Sequence, residues 1–250
     1  TPLRGDGSYF AQMVRAKLFY LCAALLMLLV SNASGALGCA KISHREGLSK
    51  FPALLTPNRQ AVVWLEVVSK SEPRSDVGKL FIKDSAKKRS EVIFQANVSA
   101  RGNIVLQDGT KTKDNYHVFC FVDWSPDSRY LLVRETIGAA DGDTWSDRYW
   151  TFDRNTWKSQ KLDLAPLRKS VAELLRKRQL LHRASHDVVA LGWDEKMHRV
   201  VFQAYPYHTP EDFFIGIWSV SMSGKDPRLL TEKENGSIVK QFGVLQEQAP

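Results

Sequence analysis

One phrase limits what this chain can fold into more than any other: Asp123-Trp124-Ser125-Pro126-Asp127-Ser128-Arg129. It stands between the strand formers Val118-Phe119-Cys120-Phe121-Val122 and the apolar run Tyr130-Leu131-Leu132-Val133. Proline fixes one turn dihedral, and the aspartate after it can hydrogen-bond its own backbone, so the phrase specifies a tight reversal between two strands. Its outline recurs. Leu55-Thr56-Pro57-Asn58-Arg59-Gln60 leads into Ala61-Val62-Val63-Trp64-Leu65, and Trp193-Asp194-Glu195-Lys196 leads towards Arg199-Val200-Val201-Phe202. Pro57 and Pro126 are 69 positions apart, as are Trp124 and Trp193.

Each phrase is followed by a second strand-like stretch, at Lys79–Asp84, Tyr149–Asp153 and Ile217–Ser221. A polar turn and a closing stretch come next, at Glu91–Phe94, Gln160–Leu164 and Pro227–Thr231. Strand, turn, strand, long loop, strand, turn, strand is the pattern of a blade repeat. The fold class expected is therefore all-β, with propeller-like blade repeats over residues 41–250, three recognisable and either incomplete or open. Residues 69–76, 138–147 and 204–212 read as polar inner loops, and 97–117 as a surface excursion. One amphipathic helix is expected near 166–184: Pro166 suits a first turn, and Leu167, Val171, Leu174 and Leu175 share a face against flanking cations.

At 250 residues, 44% hydrophobic and 25% charged, the chain is long enough for a sizeable core. Its formal charge of +8 favours solubility and attraction to anionic surfaces. No zinc-finger spacing, arginine-rich tract or basic stripe interleaved with aromatics accompanies that charge, so a nucleic-acid partner is not expected.

The N-terminal stretch reads as an export signal. Met13-Val14-Arg15-Ala16-Lys17 is a basic opening, Leu18–Val30 an apolar run, and Ser31–Ala36 supplies small residues for cleavage. The apolar run is shorter than the roughly 20 residues a bilayer span needs. Translation is expected to start at Met13, with the signal occupying 13–38. Two readings of its end stay open: cleavage near Ala33 or Ala36, or a lipoprotein signal ending before Cys39, which would carry a lipid anchor. The location expected is periplasmic or outer-membrane-anchored in a bacterium, and secreted otherwise. Cys120 alternates within a strand and reads as a small buried hydrophobe; an exported compartment also permits a Cys39–Cys120 disulfide.

The candidate binding residues lie in two loops. The 138–148 loop offers Asp141, Asp143, Trp145 and Asp147, and the 204–212 loop offers Tyr205, Tyr207, His208 and Glu211. Aromatic, imidazole and carboxylate groups on loops of a rigid sheet scaffold suit a binding rim. Asp141, Asp143 and Asp147 also form a set of calcium-type oxygens, although the EF-hand spacing is not met; no resident cofactor is expected. His182 and His186 are four apart, but Arg183 stands where a zinc-protease motif needs glutamate.

The phrases around Trp124–Arg129 and Ile217–Thr231 resemble the propeller blades of TolB-like periplasmic proteins. They are also similar to the propeller domain of prolyl-oligopeptidase-type peptidases. The resemblance rests on Ser125-Pro126-Asp127, Gly224-Lys225 and Leu230-Thr231, which are structural positions and imply a scaffold without an active site. Closed propellers use four or more blades, and three are found here. There is no Gly-x-Ser-x-Gly elbow and no phosphate-binding glycine loop. The function expected is that of an exported, non-catalytic protein-binding module at the cell envelope, with another envelope or secreted protein as partner. An inhibitor or immunity-type protein is one form of it. The alternatives are a carbohydrate-active hydrolase, for instance through Asp141 with Glu211, and a truncated propeller module of a peptidase.

Overall fold

The structure is a computed structural model. It describes residues 47–51, 53–71, 74–96, 104–105, 111–112, 115–138, 145–178, 186–194, 198–206, 215–231, 233–236 and 238. The expected signal segment, both readings of its cleavage and Cys39 lie outside those residues. Cys120 is buried, as expected of a small hydrophobe in a strand; Cys39, with which an exported compartment would permit a disulfide, is among the residues not described.

The strands, in chain order, are β1 (Gly47–Lys50), β2 (Leu54–Leu55), β3 (Ala61–Ser71), β4 (Arg74–Asp84), β5 (Arg89–Gln95), β6 (Ile104–Val105), β7 (Lys111–Thr112) and β8 (Asn115–Trp124). After them come β9 (Tyr130–Gly138), β10 (Trp145–Asp153) and β11 (Lys158–Lys161). The helix α1 (Ala165–Lys177) then leads to β12 (His186–Trp193), β13 (Val200–Pro206), β14 (Gly216–Val220) and β15 (Arg228–Leu229). The helix overlaps the stretch expected for it and starts one residue earlier, at Ala165. Pro166 stands in its first turn, and Leu167, Val171 and Leu175 form its buried stripe.

Three antiparallel meanders follow one another: β2-β3-β4-β5, β8-β9-β10-β11 and β12-β13-β14-β15. The hydrogen bonding of the turn phrase accounts for the first strand reversal in the first two. In the second meander the Tyr130 amide donates to Ser125 Oγ at 2.8 Å, and the Arg129 amide donates to Asp127 Oδ1 at 3.1 Å. The first meander repeats this, with the Ala61 amide on Thr56 Oγ1 at 3.0 Å and the Gln60 amide on Asn58 Oδ1 at 3.1 Å. Arg59 and Ser128 hold equivalent left-handed positions, at φ 55° and 61°. A short side chain thus takes the place of a missing backbone partner in each reversal.

The expected propeller is overturned by the way the meanders join. Ser75–Val77 of β4 pairs in parallel with Asn115–His117 of β8, and this fuses the first two meanders into one nine-stranded mixed sheet. The third meander is a separate four-stranded sheet. Both sheets are open, with free edges, and neither curls into a closed ring of blades. Residues 69–76 also differ from the loop expected. β3 and β4 pair without interruption through Ser69↔Asp76, Lys70↔Ser75 and Ser71↔Arg74.

Strand alternation places Val63, Leu65, Val67, Leu80, Ile82, Val118, Leu131 and Val133 in a core between the first two meanders. A second core joins the other side of β8–β10 to α1 and β12–β14, through Leu132, Tyr149, Leu167, Val171, Trp193 and Phe202. Gly224 fits the last meander against the segment leading into α1. Its φ is +82°, and a Cβ there would stand 2.2 Å from the Asp163 carbonyl oxygen. Gly224→Ala is therefore expected to cost about 1–3 kcal/mol in urea unfolding, because both the dihedral and the backbone approach exclude a side chain.

At the turn end of the sheets the first two meanders are tied by charge. Arg154, between β10 and β11, donates to both Asp84 oxygens, at 2.5 and 3.2 Å, and to Gln60 Oε1 at 3.2 Å. Lys87 Nζ donates to the Arg154 carbonyl at 2.6 Å. Burial pushes the Asp84 carboxyl up, but the Arg154 and Lys87 hydrogen bonds outweigh it, and the pKa lies below the ordinary value of 3.8. Glu135 behaves in the same way, with burial opposed by hydrogen bonds from His117 and Trp150, both at 2.9 Å. Both carboxyls are lowered on folding, so their stabilisation is present above the unfolded values, 3.8 and 4.5, and is lost as pH falls through the folded ones. Urea midpoints measured against pH are expected to hold above about pH 5 and to fall steadily below about pH 4.

Candidate binding site

Opposite the turn phrases, several strand ends gather: the start of β8, the end of β9, the start of β10, the start of β12 and the end of β13. The first turn of α1 lies against them. Asp147 is central. It faces Thr136 in the β9–β10 register and accepts a 2.6 Å hydrogen bond from the Thr136 hydroxyl. Arg134 Nη1 is 4.0 Å from its other oxygen. Burial pushes the Asp147 carboxyl above the ordinary value, with Arg134 and Thr136 opposing the shift.

The neighbouring groups are also held in place. Burial pushes the Tyr116 hydroxyl up to about 12. The Tyr149 hydroxyl is raised by burial as well, and it accepts the Ala190 amide of β12 at 3.2 Å. Asp187, at the start of β12, accepts from Arg168 of α1 at 3.4 Å and from the Val188 amide at 2.7 Å. It stands opposite Tyr205 of β13. His186 beside it is half-buried, and that burial lowers its pKa. Between the start of β10, the β11–α1 connection and α1 opens a cleft of about 330 Å³, lined by Asp147, Arg148, Lys161, Asp163 and Arg168 among others.

Of the residues singled out in the sequence, the structure brings Asp147 and Tyr205 to this end, Tyr205 opposite Asp187 in the β12–β13 register. Trp145 is the first residue of β10, paired with Gly138, so it lies in a strand where a loop was expected. Asp141, Asp143, Tyr207, His208 and Glu211 lie outside the described residues, as does His182. The calcium set is thus described only at Asp147, whose oxygens face a hydroxyl and a guanidinium. Among the described residues no group of three or more His, Cys, Asp or Glu is placed to hold a metal ion. No helix among them is long and apolar enough to cross a membrane.

Arg134, Thr136, Arg168 and Asp187 were not singled out in the sequence. Arg168 carried only the signal of a flanking helix cation. Arg134 and Thr136 flank Glu135 in an unbroken polar run of β9, and only the register with β10 places them around Asp147.

No family model matches this sequence, and no curated protein matches it. Among solved structures the chain is similar to TolB from Acinetobacter baumannii, at 12% identity and a TM-score of 0.36, over 74% of this chain and 33% of that one. It is similar to Porphyromonas gingivalis dipeptidyl peptidase 4, at 11% identity and a TM-score of 0.41, over 75% of this chain and 26% of that one. It is also similar to an oligogalacturonate lyase in complex with manganese, at 10% identity and a TM-score of 0.25, over 75% and 54%. The chain spans about a third, a quarter and a half of those three proteins. At such values none of them assigns a family or an activity. The TolB-like and peptidase-propeller resemblance read from the turn phrases is not sustained, because the sheets are open and mixed.

Proposed function

We propose that this chain is an exported, non-catalytic protein-binding module that recognises another envelope or secreted protein, with an inhibitor or immunity-type role as its specific form. The observation that supports the reading is the set of fixed polar groups where strand ends from two sheets meet. Thr136 and Arg134 hold Asp147 there, Arg168 is paired with Asp187, and Asp147 and Arg168 border an open cleft. The described residues of the two stretches expected to form the rim, Gly138 and 145–148 of the first and 204–206 of the second, stand in strands at this same end. Ion-paired groups on strand ends lose little freedom when a partner docks, which favours specific recognition.

The test is affinity capture from an envelope extract with the wild-type chain and with Arg168→Glu, followed by titration of the purified captured protein. A partner whose affinity falls by about tenfold or more with Arg168→Glu supports the proposal. Capture of nothing, together with hydrolysis of an envelope polysaccharide by the purified chain, overturns it.

A further inference from the structure

The first meander has one face in the core and another that no core cluster covers. Alternation in β3 buries Ala61, Val63, Leu65 and Val67 and turns Val62, Trp64, Glu66 and Val68 outward. The register carries that outward row across the sheet. Leu55 stands opposite Val62, Trp64 opposite Phe81, and Phe81 opposite Val92. Trp64 and Phe81 stack with ring centroids 5.2 Å apart and planes 6° from parallel. Neither ring belongs to a core cluster or packs against one. Of the six most exposed large hydrophobic residues among those described, four lie on this meander or on β1 beside it: Leu48 at 57%, Leu55 at 54%, Val68 at 42% and Val92 at 38%. Leu48 stands opposite Val68 and so extends the same face.

Scattered apolar residues on a surface need no explanation, but an aromatic pair continuous with aliphatic neighbours across four strands marks an interaction site. The charge around it indicates what would dock. Lys70 of β3 and Lys79 and Lys83 of β4 alternate onto this face. Its carboxylate, Glu66, already holds a cation, Lys50, at 3.0 Å. The Glu66 carboxyl, lowered chiefly by its Lys50 hydrogen bond, also accepts Trp64 Nε1 at 3.2 Å. The border therefore carries surplus positive charge around an apolar centre. A second copy of this face would set lysine rows against each other, which disfavours self-pairing. An anionic membrane fits less well, because side chains on strands of one sheet do not form the protruding stripe that inserts, and Glu66 would meet like charge.

We propose that this outward face, centred on Trp64, Phe81 and Val92, docks a second protein that presents an apolar patch bordered by carboxylates. The surface is distinct from the cleft at Asp147. The test places a photo-crosslinking residue at position 92 of the full chain in an extract of the source organism. The crosslinked protein is identified, purified and titrated against the wild type, Trp64→Ala/Phe81→Ala and Lys79→Glu/Lys83→Glu, with circular dichroism checking each fold. Affinity is expected to fall by about 30-fold for the aromatic pair and at least about tenfold for the charge reversal, and to weaken with salt. Arg168→Glu, at the cleft, is expected to leave this affinity unchanged. The proposal is overturned if only this chain crosslinks, whether to its own other segments or to a second copy. It is also overturned if anionic vesicles containing phosphatidylglycerol bind and no protein does, or if the charge reversal leaves affinity intact.

Discussion

Arg154→Ala is expected to cost about 3–5 kcal/mol in chemical unfolding, because it strands the Asp84 carboxylate where no water reaches. The Asp84 side chain is fully buried and that of Arg154 is 8% exposed, so screening by solvent cannot soften the loss. The guanidinium also donates to Gln60, and Lys87 holds the Arg154 backbone carbonyl, so Arg154 ties the β2–β3 reversal, the β4–β5 turn and the β10–β11 turn. Asp84→Ala is expected to cost a similar amount, from the opposite side of the same pair. The double variant Asp84→Leu/Arg154→Met removes both charges at similar volume and is expected to recover much of the loss. If Arg154→Ala costs less than about 1 kcal/mol, the pair is not what joins the first two meanders at this end.

How much of this was legible follows from the range over which each signal acts. Ser125-Pro126-Asp127 and Thr56-Pro57-Asn58 announce their reversals because a hydroxyl and a short acceptor hydrogen-bond backbone within five residues. Leu167, Val171 and Leu175 announce the helix by spacing alone. The parallel pairing of Ser75–Val77 with Asn115–His117 has no such signature, since it is backbone to backbone across some forty residues. That junction decides between a ring of separate blades and one open mixed sheet, and for that reason the propeller expectation failed although its strands were in place.

The candidate site divides along the same line. Asp147 and Tyr205 carried a compositional signal as polar and aromatic residues near loops. Arg134 and Thr136 acquire their roles only through a cross-strand register, and Asp187 only through a helix packed beside it. The Asp84–Arg154 pair, 70 positions apart, is invisible to any local pattern, and in the sequence Asp84 reads as one more strand-end carboxylate.

Phe202→Ala and Trp64→Ala should separate the two kinds of aromatic in this chain. Phe202 is fully buried in the core that joins the second meander to the third, edge-on to Tyr149 with centroids 5.2 Å apart. Its removal is expected to cost about 3–5 kcal/mol, since the surrounding Trp218, Ala190 and α1 side chains belong to rigid elements that collapse only partly into the space left. Trp64 also contacts an aromatic ring at 5.2 Å, but it lies on the uncovered face of the first meander. Truncating it forfeits the stack and the bond to Glu66 without opening a cavity, so the expected cost is about 0.5–1.5 kcal/mol. Urea unfolding of the two variants under identical conditions measures the contrast. A Trp64→Ala loss as large as that of Phe202→Ala would mean that another part of the chain already covers that face, and the docking surface proposed for it would have to be given up.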